Sequence, residues 1–196
     1  MNKEKDSDAK SLKREQMIQH AYHLFYKEGF HATGVDAIIE GTGISKRTLY
    51  KHFASKEGLI VASIEYYHQM RYKAISTYLE QSASKSPIEK ALRIFDFLVE
   101  LVDAGHLDGC FAMNAKTEYA NKAEEIEAAY DAYVAALQKL IMFCLSEGNL
   151  KNIKSLAIQV IMLFEGAILR SKATGDSQPV KLAKAAAKLI CNHQLV

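Results

Sequence analysis

The chain has 196 residues, of which 49% are hydrophobic and 24% charged, and this composition is typical of a globular protein with a buried core. Its net charge is +2, and its three cysteines, an odd number without a Cys-x-x-Cys pair, argue against a disulfide scaffold and favour a reducing cytoplasm. No signal peptide and no apolar run of membrane-spanning length is visible, so we expect a cytoplasmic protein with no membrane contact.

The first predicted element is a charged leader over residues 1–10, which we expect to be disordered. A helix follows, because apolar residues between Ile18 and Phe25 recur at helical spacing, and Gly29 is expected to end it. Thr33 then resembles the N-cap of a short helix, with Asp36 three residues later.

A second short helix is predicted after the break at Gly41-Thr42-Gly43, with Ser45 as its N-cap and Phe53 near its end. Ser55 caps a much longer helix that runs to about residue 81. Ser86 and Pro87 open the next helix, and the rest of the chain has helical periodicity throughout. Glycines or a proline bound these later helices: Gly105, Gly148, Gly175 and Pro179. The predicted fold class is all-α.

Charge is distributed unevenly along the chain. Residues 1–60 contain ten Lys and Arg against eight Asp and Glu, whereas the remainder has fifteen of each sign. The stretch 45–56 alone carries four cations and no acid. A local basic field of this kind is typical of proteins that bind polyanions, although it is also compatible with a solvated basic face on a structural helix.

Two short helices joined by a glycine-containing turn have the geometry of a helix-turn-helix, whose second helix enters the DNA major groove. Leu49 and Phe53 would anchor that helix, and its polar residues would face the DNA. Lys46 and Arg47 lie in the first turn, where two cations oppose the helix dipole, so stability alone does not account for them. Both side chains can bridge O6 and N7 of guanine, which suggests guanines in the half-site.

The run TGVDAIIEGTGISKRTLYKHFASKEGLI, residues 33–60, resembles the DNA-binding signature of the TetR family of one-component transcriptional regulators. That signature has a short AIA-like helix, a G-[VI]-S turn, the pattern T-[LI]-Y-x-[HY]-F and an [SG]-K-[ED] opening of the fourth helix. The resemblance implies an N-terminal three-helix helix-turn-helix head, residues 11–58, that a connecting helix joins to a helical ligand-binding and dimerisation body, residues 59–196.

The same resemblance implies a homodimer on a pseudo-palindromic double-stranded DNA operator, and a repressor that an unidentified small-molecule effector releases. An activator remains an alternative. Transferred position by position, the implied base contacts are Lys46, Arg47, Tyr50 and Lys51. The implied phosphate contacts are Thr33, Ser45, Thr48, His52 and Lys56, and Tyr50 is able to serve both roles.

Two features of the body suggest where it dimerises and binds its ligand. Apolar stripes from Leu156 to Ile168 and from Ala183 to Ile190 are candidate dimer surfaces, or else ordinary core. Aromatic residues at helical spacing are usually core as well, but tyrosines in particular suit a pocket with polar tips. The candidate ligand-binding residues are Tyr67, Phe95, Phe111, Tyr119, Tyr130, Tyr133 and Phe164.

Gly109 and Cys110 with Asn114 form a Gly-Cys-x3-Asn pattern that recurs in a subset of the family. Cys110 is therefore a candidate sensor of oxidants or electrophiles, with His106 or Lys116 lowering its pKa. The alternative is a small buried side chain beneath a glycine turn.

Other classes of protein are less compatible with the sequence. The seven histidines and three cysteines show no His-Glu-x-x-His pattern or metal-ligand spacing, and no Gly-x-Ser-x-Gly or phosphate-binding loop occurs. We therefore expect no enzyme activity, no metal and no cofactor. A helical adaptor without DNA binding is the remaining alternative.

Overall fold

The computed structural model describes residues 2–84 and 86–195 and, within these ranges, the side chains from residue 11 onward. The described chain is all-α, as predicted, and contains no strand beyond an isolated antiparallel bridge between Leu150 and Leu195. Its helices are α1 (Asn2–Glu28), α2 (Val35–Ile39), α3 (Lys46–Phe53), α4 (Lys56–Glu80), α5 (Pro87–Asp103), α6 (Phe111–Glu118), α7 (Glu124–Ser146), α8 (Ile153–Thr174) and α9 (Gln178–Asn192).

Helix α1 differs from the prediction at its start and agrees with it at its end. It includes residues 2–10, expected to be a disordered leader, because neither glycine nor proline interrupts the chain before Gly29. Gly29 has a φ of 86° and its N–H donates to the carbonyl of Phe25 at 3.0 Å, which confirms it as the residue that ends α1.

The chain divides into two compact units. The first unit comprises the chain up to Gln69 together with Phe111–Asp131, and the second comprises Met70–Cys110 and the chain from Ala132 onward. Helix α6 thus belongs to the same unit as the first three helices, and both α4 and α7 run from one unit into the other.

Aromatic side chains form the centre of the first unit. The ring of Phe111, at the start of α6, lies 4.8 Å from the ring of Tyr22 and 4.9 Å from that of Phe30. Phe30 in turn stacks on Phe25 at 5.2 Å, and all four side chains are buried. Since such ring pairs add to the free energy of burial, α6 is an integral part of this core.

Glu118, the last residue of α6, forms hydrogen bonds with the segment that follows α1. Its carboxylate accepts the backbone N–H of Phe30 at 3.3 Å and that of His31 at 2.9 Å. Nε2 of His31 lies 2.8 Å from the Glu118 backbone carbonyl oxygen, and the His31 ring stacks on that of Tyr119 with their centres 4.6 Å apart. These bonds satisfy two backbone donors at a bend where no helix can do so.

The second unit is built on α5, α8 and α9, which pack against one another. Ser86 accepts the Glu89 N–H and Pro87 occupies the first turn, so the predicted start of α5 is confirmed. Ion pairs join α5 to α9: the Lys184 ammonium lies 2.7 Å from Asp96, and that of Lys188 lies 2.6 Å from Glu89.

The interpretation of the α8 stripe as a dimer surface was wrong. Leu156, Val160, Phe164, Ala167 and Ile168 are between 1% and 7% exposed and form core within the chain. Another face of α8 carries the exposed apolar side chains, which belong to Ile158, Met162 and Leu169. Helix α8 is apolar on more than one side, so its spacing alone does not show which side the chain itself covers.

Helix α7 is long and apolar enough, by length and composition, to cross a bilayer, although no uninterrupted apolar run of that length occurs. It differs from the sequence expectation because an average over eighteen residues tolerates isolated charges such as Asp131 and Lys139. Side chains along α7, among them Ile126, Leu137 and Ile141, are buried within the protein. A core helix of a globular protein gives the same pattern.

Replacing Glu118 by alanine tests the bond between α6 and the segment after α1. We expect Glu118→Ala to lower the free energy of unfolding by about 1–2 kcal/mol, because it leaves the N–H groups of Phe30 and His31 without their acceptor. Glu118→Gln keeps one acceptor oxygen, so its loss should be smaller. Urea denaturation measures both; equal stability of Glu118→Ala and the wild type would contradict this role.

Candidate nucleic-acid interface

Helix α3 is held at both ends by its own sequence. Ser45 is the N-cap: its hydroxyl accepts the Thr48 N–H at 3.2 Å and lies 2.9 Å from the Thr48 hydroxyl. Leu49 is fully buried and Phe53 is 7% exposed, so one face of the helix is fixed to the core of the first unit. The guanidinium of Arg14 in α1 lies 5.1 Å from the centre of the Phe53 ring.

The turn between α2 and α3 has the conformation that its glycines permit. Gly41 and Gly43 have φ values of 70° and 68°, which residues with a Cβ rarely adopt. Between them the Thr42 hydroxyl donates to the Ile39 carbonyl at 2.7 Å and accepts the Ile44 N–H at 3.2 Å. The predicted glycine break is confirmed, and the threonine adds hydrogen bonds that stabilise it.

The opposite face of α3 is basic and exposed. Its exposed side chains are those of Lys46, Arg47, Tyr50 and Lys51, and these recur at spacings of three and four residues. Tyr50 is 45% exposed although it is a large aromatic residue. The four predicted base-contacting side chains therefore share one surface, as a groove-reading helix requires.

Lys46 has a partner that the sequence did not indicate. Its ammonium lies 2.7 Å from Oδ1 and 2.9 Å from Oδ2 of Asp36 in α2. The hydrogen bond and charge of Asp36 raise the pKa of the Lys46 ammonium. Ten residues separate the two in sequence, so helical spacing gives no sign of the pair.

The predicted phosphate-contacting residues lie in different environments. Ser45 is exposed, and Thr48, His52 and Lys56 are partly exposed. Burial lowers the pKa of the Lys56 ammonium, and the charges of Glu57 and Glu118 oppose that effect. These four side chains reach the surface from α3, from its N-cap or from the start of α4.

Thr33 is the exception among these residues. It is 3% exposed, and its hydroxyl donates to the Gly29 carbonyl at 2.7 Å. A hydroxyl has one proton, so in this conformation it has none to donate to a phosphate. Its expected role as N-cap of α2 was wrong, since Gly34 is the N-cap and no side chain caps that helix.

A tight corner joins α3 to α4. Ala54 has φ 61° and ψ −41°, and the Ser55 N–H donates back to the Phe53 carbonyl at 2.7 Å, which forms a γ-turn. The turn directs the Phe53 carbonyl toward Gly58, where a Cβ would lie 2.1 Å from its oxygen. Ser55 then accepts the Gly58 N–H at 2.9 Å, which confirms its predicted capping role.

The seven candidate ligand-binding residues are all buried, but they do not lie together in one unit. Phe95 and Phe164 meet edge to face at 5.9 Å in the second unit, which also holds Tyr133. The other four belong to the first unit, where Phe111 and Tyr67 join the aromatic core. Within that unit, the stacking of Tyr119 on His31 and the contact of Tyr130 with the Lys116 ammonium at 4.6 Å give these rings structural roles.

Cys110 is 6% exposed, and the two other cysteines are buried too. Lys116, proposed above to lower the pKa of Cys110, forms an ion pair with Asp131 at 2.7 Å. Reactive cysteines need an accessible thiol in a cationic environment, so this burial favours a packing role for Cys110. Among the described residues, no group of three or more His, Cys, Asp or Glu side chains could hold a metal ion.

Two family models match the chain. Residues 17–62 match the model of bacterial regulatory proteins of the tetR family. Residues 87–186 match the model of the C-terminal domain of LmrA/YxaF-like transcriptional regulators. The first match contains α2, α3 and the α3–α4 corner, and the second contains nearly all of α5–α9.

Individual relatives agree with these models. The HTH-type transcriptional repressor DhaR of Mycobacterium sp. strain GP1 is 24% identical over 179 residues, which cover 88% of each chain. The uncharacterised HTH-type regulator YerO of Bacillus subtilis strain 168 is 40% identical over 77 residues. That match covers 39% of this chain and 27% of YerO, so the chain spans about a quarter of that relative's length.

Solved structures share the fold. The reduced form of Escherichia coli NemR has a TM-score of 0.80 at 21% identity, over 91% of this chain and 96% of that one. A TetR-family regulator from Cytophaga hutchinsonii has a TM-score of 0.81 at 18% identity, over 96% and 97% of the two chains.

Substitution of Gly58 tests the α3–α4 corner. Gly58→Ala should lower the free energy of unfolding by about 1–3 kcal/mol, because the new methyl group overlaps the Phe53 carbonyl and forces backbone movement. Gly34→Ala is the matched control: its Cβ meets nothing within 4 Å and its φ is −78°. Thermal unfolding of both variants decides the point, and equal losses of stability would contradict a steric cause.

Proposed function

This chain belongs to the TetR family of bacterial regulatory proteins, and on that premise we propose that it is a repressor released from its DNA operator by a small molecule. It is a DNA-binding transcriptional regulator, and helix α3 with its exposed basic face supports the assignment of the DNA contacts. The observation that carries the proposal is the single surface formed by Lys46, Arg47, Tyr50 and Lys51 opposite the buried Leu49 and Phe53.

We assign the reading of bases to this surface. Arginine can donate two hydrogen bonds to O6 and N7 of one guanine, which is the commonest specific contact in DNA complexes. Arg47 is exposed and lies in the first turn of α3, the end that enters the groove in this motif. Ser45, Thr48, His52 and Lys56 surround it as contacts to phosphate, and Thr33 contributes through its support of the backbone at Gly29.

Members of the family act as dimers, and we propose that α8 and α9 form the dimer interface through their exposed apolar side chains. On α8 these are Ile158 at 37%, Met162 at 65% and Leu169 at 73% exposure; on α9 they are Leu182 at 61% and Leu189 at 72%. Side chains this apolar favour burial against a partner.

Gly166 lies within the same stripe of α8. It is exposed, and a Cβ there would meet nothing within 4 Å in this chain. A glycine in a helix interior lowers stability by about 0.5–1 kcal/mol relative to alanine. Close approach of a second helix, which a side chain at this position would obstruct, accounts for its presence. Two heads would then contact half-sites about one DNA turn, or a multiple of it, apart.

For the effector we propose an aromatic or moderately hydrophobic compound bound in the second unit, with Phe95, Tyr133 and Phe164 in its surroundings. Release from DNA requires that the effector bind the DNA-incompetent conformation better than the competent one. Helix α4 supports a coupling between effector binding and DNA binding, because it begins two residues after the γ-turn at Ala54 and ends in the second unit.

Direct readout by Arg47 is tested on DNA sites selected from a random library. Arg47→Ala should reduce affinity by about 5- to 150-fold per half-site of the selected site, the equivalent of one bidentate guanine contact, and much less for a half-site whose guanines are replaced. Gel shift or fluorescence anisotropy measures both losses. Equal losses on the two sites would rule out base reading by Arg47.

Lys56→Ala is the matched control for that experiment. As a phosphate contact, Lys56 should contribute equally to both sites, and its removal should reduce the slope of log affinity against log salt by about 0.9 per protomer. If selection with the wild type enriches no DNA sequence, the chain is not a sequence-specific DNA-binding protein.

The dimer interface is tested by placing a charge in it. Leu169→Glu should convert a dimer to a monomer at micromolar concentration, because the carboxylate would be buried against the second copy. Leu12→Glu in α1, where the native side chain is 58% exposed, is the control and should leave the dimer intact. Sedimentation or light scattering measures the mass; a dimeric Leu169→Glu variant would place the interface elsewhere.

A further inference from the structure

The ion pair between Asp36 and Lys46 lies within the proposed DNA interface. It joins the first turn of α2 to the first turn of α3, with both carboxylate oxygens within 2.9 Å of the ammonium. Both side chains are accessible, at 79% for Asp36 and 53% for Lys46. The carboxylate is therefore exposed on the side of the molecule from which DNA must approach Lys46.

Lys46 differs in this respect from the other cations of α3. Within the part of the chain that the structure describes, Arg47 and Lys51 form no ion pair. No acid among the described side chains compensates these two charges, which are therefore available to any phosphate. The charge of Lys46 is already neutralised, so its contact with DNA depends on what the approaching group does to Asp36.

A phosphate and a guanine edge affect this pair differently. A phosphate is an anion, so it competes with Asp36 for the ammonium and is repelled by the carboxylate at the same time. The O6 and N7 atoms of guanine are neutral acceptors. A lysine ammonium has three donors, and it can keep a bond to Asp36 while another N–H points to the base.

We propose that Asp36 is a specificity-determining residue of the DNA interface: it holds the Lys46 ammonium so that Lys46 contributes to base reading but not to phosphate neutralisation. Non-specific binding draws essentially all of its affinity from phosphate contacts. The pair thereby lowers affinity for non-cognate DNA and preserves affinity for a site with a guanine in reach. This inference rests on the proposed place of Lys46 in the interface.

The experiment compares the wild type with Asp36→Asn on a 30-base-pair duplex of random sequence and on the selected site. If the substitution frees Lys46 for one phosphate per protomer, the log–log salt slope on random DNA should steepen by about 1.8 per dimer. Between 50 and 200 mM salt the variant should then lose about 12-fold more affinity for random DNA than the wild type does. The ratio of specific to non-specific affinity should fall.

Two controls separate release of Lys46 from a general change in charge. Glu40→Gln removes one exposed acid at the end of α2 that pairs with no cation among the described residues. It changes the net charge as Asp36→Asn does, and it should leave the slope nearly unchanged. In the double variant Asp36→Asn/Lys46→Gln, the steeper slope should disappear.

A second pair of variants tests the inference without altering Asp36. Lys46→Gln should leave the slope on random DNA unchanged, whereas Lys51→Gln should reduce it by about 0.9 per protomer. An unchanged slope for Asp36→Asn, or a Lys46→Gln slope that falls as much as that of Lys51→Gln, would overturn the proposal. If the wild type fails to bind even random DNA at 50 mM salt, the proposed function fails instead.

Discussion

The burial of Leu49 and Phe53 is the constraint on which the DNA-binding surface depends. A helix of eight residues is not stable alone in water, since nucleation costs more than so few hydrogen bonds return. Leu49 is fully buried and Phe53 is 7% exposed, so tertiary contacts hold α3 in place. Only because that face is fixed do the exposed side chains of Lys46, Arg47, Tyr50 and Lys51, which are three and four residues from one another, point together into solvent.

The glycines and the short capping residues near α3 serve the same end. The start of α3 is fixed by the glycine turn and the Ser45 cap, and its end is fixed by the γ-turn at Ala54. The Gly58 contact with the Phe53 carbonyl then leaves no room for a side chain at the start of α4. Since each of these positions has a steric or hydrogen-bonding requirement, the corner resists substitution although it lies at the surface.

Electrostatics divides the cations of the basic face into two kinds. Arg47 and Lys51 have unopposed charge within the described chain, whereas Lys46 is paired with Asp36. The same first unit includes α6, whose Glu118 carboxylate holds the N–H groups that follow α1. Acids that lie far from α3 in sequence, or on a different helix, thus shape the surroundings of a stretch that itself contains no acid.

The sequence by itself determined the all-α class, the helix-turn-helix with the Ser45 cap of α3, and the family, because capping residues, glycine turns and apolar spacing act over a few residues. Tertiary structure decided what depends on distant residues. It paired Asp36 with Lys46, buried the Thr33 hydroxyl against Gly29, and joined α6 to the first unit through Glu118. It also decided which side of α8 the chain covers, since periodicity shows that a face is apolar but only packing shows which neighbour buries it.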